Sequence, residues 1–215
     1  DGISDEVASC ITLKGITAEY LLHRAYPLKK GDKVLYHAAA GALGQILCPW
    51  ANALGAEVIG TVGSKAKEEI AKKNGCHHVI NYSEKDFVKE VEKIFGKNSL
   101  DVVYDGVGSK TFKGSIETLR IRGMMVAFGN ASGYVEKLDI KKDINAKGLF
   151  FTRPSIAHYT VKREELVESA KKVFDAVLTK KFKIEISKRY PLKNAAQAHK
   201  DLENRLLTGP AVIIP

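Results

Sequence analysis

Residues 34–60 read VLYHAAAGALGQILCPWANALGAEVIG. An apolar run ends at His37, and from Ala38 to Gly44 the one large side chain is Leu43. A helical pattern then runs to Gly55, and a second apolar run begins at Glu57. Small residues at a strand-to-helix turn let something approach the backbone closely. A helix N-terminus offers free N–H groups and about half a positive charge, which together hold an anion without basic side chains. A Cβ in the turn would keep a pyrophosphate off those groups. The dinucleotide fingerprint G-x-G-x-x-G aligns as Ala39-x-Gly41-x-x-Gly44, with alanine at its first glycine. Taken alone, a tight turn without a ligand fits equally well.

Working outward, the same alternation continues. Apolar strands are predicted at 33–37, 57–62, 77–81, 100–106, 123–129 and 149–152. Helices are predicted at 43–54, 65–74, 85–95 and 109–119, with a weaker one at 138–147. Short apolar strands separated by helices with glycine stops predict an α/β fold, a doubly wound parallel six-stranded Rossmann sheet. Both ends lie outside this alternation. A helix over 12–26 gathers Ile16, Tyr20 and Leu21, and an amphipathic helix over 163–180 gathers Leu166, Val173, Phe174 and Val177. FKIEIS (182–187) and PAVIIP (210–215) read as strands without partners in the first sheet, flanking a helix near 194–206.

Near the end of the second strand, about 20 residues past the turn, an NAD site carries an acid for the ribose hydroxyls. This chain has Gly60-Thr61-Val62-Gly63-Ser64-Lys65-Ala66-Lys67, hydroxyl and lysine donors only. A 2′-phosphate would be repelled by a carboxylate and accepted by Ser64 and a lysine, so NADP(H) is favoured over NAD(H).

Composition limits the alternatives. The 215 residues are 45% hydrophobic and 27% charged, which suits a globular core. No apolar run approaches the ~20 residues of a membrane span, and no signal peptide opens the chain. Three widely spaced cysteines, with no Cys-x-x-Cys, fit a reducing, cytoplasmic setting and offer no zinc framework, so no metal is expected. The net charge of +9 is spread over helices and loops. Without a basic patch interleaved with aromatics, a solvated surface explains it better than nucleic acid does. The chain opens DGISDEVASC, without Met, and is expected to be a piece of a longer protein.

LKGITAEYLL, HAAAGALG, GTVGS, VINY, VVYDGVG, VAFGNASG, FTRPS, YPL and VIIP occur in order with matching spacing along the whole chain. Together they closely resemble quinone oxidoreductases, the zinc-free, zeta-crystallin-like branch of the medium-chain dehydrogenases/reductases. The resemblance implies that most of an N-terminal GroES-like catalytic domain is absent. It divides the chain into a linker helix and remnant of that domain (1–30), an NADP-binding Rossmann domain (31–153) and a C-terminal return to the catalytic domain (154–215). It implies that Gly41, Ala42, Leu43 and Gly44 lie against the pyrophosphate. Ser64 and Lys67 would hold the 2′-phosphate, and Tyr82 would flank the adenosine. Val107, Phe128, Gly129, Asn130, Phe151 and Thr152 would line the nicotinamide side, with Thr17 facing the ring and Arg205 reaching across. Relatives often carry glycine at the position of Ala42, and some carry a larger side chain at that of Gly106.

The resemblance implies NADPH-dependent reduction of a quinone. The alternatives are an enoyl or enone reductase of the same superfamily, or a cofactor- or RNA-binding module without turnover. The 148–155 strand (GLFFTRPS) would be an apolar sheet edge, expected to be covered by antiparallel pairing with its copy in a homodimer.

Overall fold

A computed structural model of the chain describes residues 2–204, 206–207 and 209–215. Six parallel strands form the main sheet: β1 (Lys33–His37), β2 (Glu57–Val62), β3 (His78–Asn81), β4 (Leu100–Asp105), β5 (Leu119–Ala127) and β6 (Phe150–Thr152). Their order is β3-β2-β1-β4-β5-β6. The order reverses between β1 and β4, where doubly wound sheets bind ligands outside the carboxyl ends of the strands.

Helices α1 (Asp5–Tyr20), α2 (Gly44–Ala53), α3 (Ala66–Lys73), α4 (Phe87–Phe95) and α5 (Phe112–Thr118) accompany this sheet. Two buried clusters hold the layers together. One gathers Val34, Tyr36, Val58, Val102 and Tyr104 with α1 and α2. The other gathers Leu35, Ile59, Val103 and Met125 with Phe112 and Ile116 of α5. Strand residues of alternating parity thus feed opposite faces, as the period of two dictates. Buried on both faces, the inner strands β1, β2 and β4 read as largely apolar runs.

The first helix is longer than predicted. Ser4 caps it by accepting the Val7 N–H (3.4 Å), and a π-helical turn, Leu21–Ala25, continues it. Ile16, Tyr20 and Leu21 are all buried, as their spacing requires. A short helix α6 (Ile156–Tyr159) precedes α7 (Arg163–Leu178), which packs along α1. At their crossing a Cβ on Gly15 would stand 2.5 Å from Val173 Cγ1, so the bare glycine allows the approach. Ser169, Val173 and Ala176 form the buried stripe of α7, and Phe174, expected inside, is 37% exposed. The correction follows from the i, i+4, i+7 stripe, one residue away from Phe174. Buried Glu19 of α1 receives the Ser169 hydroxyl (2.7 Å) and pairs with Arg24 (2.9 Å).

Three further expectations change. The helix near 138–147 is a π-helical turn (Ile140–Ile144) followed by a 3-10 turn (Asn145–Lys147), with Asp139 capping the first through the Lys142 N–H (3.0 Å). The fifth strand starts at Leu119 rather than 123: Leu119 pairs with Leu100, the register shifts, and Arg122 adopts φ +59° before Met124 pairs with Val102. FKIEIS is not a strand. Phe182 and Ile184 are buried and Ile186 packs beside them, so its alternation records one-sided packing without a ladder. The strand follows at β7 (Lys188–Pro191), which pairs in parallel with β8 (Ala211–Ile214), the helix α8 (Ala195–Glu203) lying between them in sequence. The two terminal strands are therefore each other's partners. Trp50 of α2 packs on Phe182 of the preceding segment (5.5 Å between ring centroids) and on the edge of His23.

Candidate functional site

The turn between β1 and α2 is set by local geometry. Ala38 sits at φ +63°, the Gly41 N–H closes onto its carbonyl (2.9 Å), and the Gln45 N–H bonds the Gly41 carbonyl (3.0 Å). A Cβ on Gly44 would collide with the backbone of Ala39, so this glycine lets α2 pack against the turn. A Cβ on Gly41 would come within 3.1 Å of the Ala38 carbonyl. Among the described residues, the N–H groups of Ala42, Leu43 and Gly44 donate to no backbone carbonyl in this turn.

Beside the turn opens a cleft of about 270 Å³. Gly41, Ser64, Lys67 and Tyr82 line it, with Ile70 and Leu207 as apolar walls. Among the described residues, none that lines it is a carboxylate. Tyr82, 46% exposed, lies so near the β2 end that a Cβ on Gly63 would stand 2.6 Å from its hydroxyl. Four predicted site residues from three segments thus share one opening. Ala42 faces an adjoining groove with Tyr190, His199, Leu207 and Ile213.

The loops after β4 and β5 form a second group, laced together by backbone. The Phe128 N–H donates to the Asp105 carbonyl (2.9 Å), the Ala131 N–H to Gly106 (3.2 Å) and the Ser132 N–H to Val107 (2.7 Å). Val107, Phe128, Gly129 and Asn130 are brought together by these bonds. A Cβ on Gly106 would lie 2.8 Å from the tip of the Phe128 ring, so the bare α-carbon lets the ring settle against this loop.

The remaining expected residues stand apart. Phe151 presents its ring to Phe112 edge-on (6.0 Å, 86°), and Thr152 pairs in register with Val126. Thr17 is half-buried on α1, and its hydroxyl donates back to the Leu13 carbonyl (2.8 Å). Arg205 lies outside the described residues.

Beneath the loops is a buried set that sequence reasoning missed. His37 Nδ1 lies 2.9 Å from the Thr61 hydroxyl and Nε2 lies 2.9 Å from the Ser115 hydroxyl. Ser115 donates to Asp105 Oδ2 (3.0 Å), and Thr111 donates to the same carboxylate (2.8 Å). Asp105 Oδ1 also accepts the N–H groups of Val107 (2.8 Å) and Gly108 (3.0 Å). Burial pushes the His37 pKa down, with the Asp105 charge opposing it, so the ring is neutral. With Ser115 donating to the carboxylate, the Nε2–H tautomer is the one that completes the chain. The available signal was position: His37 immediately precedes the small-residue turn, and Asp105 ends a strand.

The model of the family described as zinc-binding dehydrogenase matches residues 42–178. The chain belongs to that family. A 2-haloacrylate reductase from Burkholderia sp is 47% identical over 95% of the chain and 62% of the relative. Quinone oxidoreductase 1 of Escherichia coli is 44% identical over 99% of the chain and 66% of the relative. The chain therefore spans a little under two thirds of these relatives' length. Among solved structures, a 2-haloacrylate reductase superposes with TM-score 0.94 at 45% identity, covering 100% of this chain and 67% of that one. Escherichia coli quinone oxidoreductase complexed with NADPH gives 0.92 at 43%, covering 99% and 66%. The expected resemblance to the quinone oxidoreductases of the medium-chain superfamily is borne out, as is the Rossmann sheet. The family's description names zinc, but among the described residues no three His, Cys, Asp or Glu side chains gather as metal ligands would, so these residues do not fit a zinc ion.

Proposed function

We propose that this chain is the NADP(H)-binding part of an oxidoreductase that reduces a conjugated acceptor, a quinone or an activated alkene. The observation that carries the reading is the cleft beside the small-residue turn, which offers Ser64 and Lys67 and, among the described residues, no carboxylate. Such a lining accepts a phosphate on the adenosine ribose. When bound, the reduced nicotinamide supplies the hydride. The chain's own part is to bind and orient. The turn's N–H groups receive the pyrophosphate, Lys67 and Ser64 the 2′-phosphate, and Tyr82 covers the adenosine. The loops carrying Val107 and Phe128–Asn130 flank the nicotinamide. Fixing the ring against the acceptor turns a bimolecular encounter into an oriented one.

The quinone is the finer assignment, supported by relatives of that name; the 47%-identical 2-haloacrylate reductase favours an electron-poor alkene as the second reading. Both acceptors delocalise the charge that hydride arrival creates, so neither demands a metal or a strong acid. The second sheet, β7–β8, is read as part of a catalytic domain.

The test is a titration with NADPH and NADH, followed by nicotinamide fluorescence. NADPH is expected to bind more tightly, and Lys67→Ala to weaken NADPH about 10- to 100-fold while sparing NADH, the value of one charge-assisted hydrogen bond to phosphate. Equal affinities in the wild type would end the NADP(H) assignment.

A further inference from the structure

Thr61, His37, Ser115, Asp105 and Thr111 are each at most 6% exposed, yet all five are polar. Buried polar groups cost stability unless fully partnered, and a partnered network fixes geometry. This one is partnered in one direction: Thr61 to His37, His37 to Ser115, Ser115 and Thr111 to Asp105. Asp105 is its sink and also the point where both loops are gripped. Its carboxylate takes the Val107 and Gly108 N–H groups, while its backbone carbonyl takes those of Phe128 (2.9 Å) and Gly129 (3.3 Å). In a sheet of this order the β1–β3 half binds the adenosine end of a dinucleotide and the β4–β6 half the nicotinamide end.

We propose that Asp105 is a positioning residue for the nicotinamide half of the dinucleotide, setting both loops at once, with Ser115 and His37 holding its carboxylate in place. This rests on the reading of the cleft as a dinucleotide site. The adenosine half, built from Ser64, Lys67 and Tyr82, hangs from β2 and β3 and draws nothing from the carboxylate. Thr61 of β2 enters the network only through His37, while the loop N–H groups that Asp105 itself grips all lie on the nicotinamide half.

The experiment compares two ligands on the 215-residue chain: NADPH, and adenosine 2′,5′-bisphosphate, which fills the adenosine half alone. Asp105→Asn is expected to weaken NADPH at least about tenfold and to leave the bisphosphate within about twofold. Ser115→Ala, which keeps the carboxylate but frees it, is expected to do the same to a smaller degree, and it serves if Asp105→Asn does not fold. A parallel loss of both ligands would make the network merely structural, and no loss of either would remove its role; each overturns the proposal. Amide exchange separates this from the cofactor reading. The N–H groups of Val107, Gly108, Phe128 and Gly129 are expected to exchange faster in Ser115→Ala while those of Val102–Tyr104 hold. Unchanged exchange overturns the positioning role even if NADPH binds. Faster exchange in a chain that binds neither nucleotide upholds the setting of the loops and overturns their assignment to nicotinamide.

Discussion

Gly106 and Phe128 show how one missing carbon shapes the site. Because a Cβ would press the ring at 2.8 Å, Gly106→Ala is expected to displace Phe128 and strain the loop bonded to the Asp105 carbonyl. Overpacking of this kind costs about 1–3 kcal/mol, and urea unfolding of the variant measures it. An unchanged midpoint would show that the loop yields freely. His37 makes a second residue-scale prediction. Its folded pKa lies below the ordinary 6.5, so the unfolded chain takes up a proton that the folded chain refuses. Stability is then full above pH ~6.5 and falls as pH drops below it, by at most about 1.4 kcal/mol per unit for this group. His23 is depressed by burial too and contributes with the same sign. In His37→Gln the fall between pH 7 and 5 should become shallower; an identical slope would mean that His37 takes up its proton equally in the folded and unfolded chain. Both residues were visible in the sequence, but their roles were not. Gly106 was noted as small without its reason, Phe128 being 22 positions away. His37 looked like the end of a strand, since nothing local reveals that Ser115, 78 positions on, completes its hydrogen bonds.

Elements follow from periodicity where one layer decides their burial, and depart from it where two layers compete. The six sheet strands were legible because each is an apolar run closed by turn residues, and their ends fall close to the expected positions except at β5. FKIEIS misled because packing against Trp50 and its neighbours produces the same alternation as a sheet face. The β7–α8–β8 unit is fastened instead by polar atoms. Asp201 of α8 accepts from Lys188 Nζ (2.7 Å), Gln197 Nε2 (2.7 Å) and the Tyr190 hydroxyl. These partners, Lys188 foremost, lower its pKa from 3.8 to about 2. A carboxyl so depressed contributes stability above pH ~3.8 and loses it as pH falls towards 2. Asp201→Asn is expected to melt lower at pH 7 and to lose part of the wild type's acid sensitivity between pH 4 and 2. If its acid limb matches the wild type's, the unit is held by its apolar contacts instead.

For the whole molecule, the main sheet ends on β6, which among the described residues pairs only with β5 and leaves Phe150 58% exposed. An apolar edge invites another strand, and the proposed homodimer would supply it. Size-exclusion chromatography at micromolar concentration is expected to give a dimer, and Phe150→Lys a shift towards monomer. A wild-type monomer would dismiss the edge as the interface. Trp50 gives the assembly a property of another kind. It is the chain's one tryptophan, 2% exposed, and its indole N–H meets no acceptor among the described residues. It lies where α2 meets the segment leading to the terminal strands, against Phe182. Its emission will therefore be blue while those two parts stay joined and will redden once they separate, even if the sheet survives. The protein carries an optical gauge of its own seam.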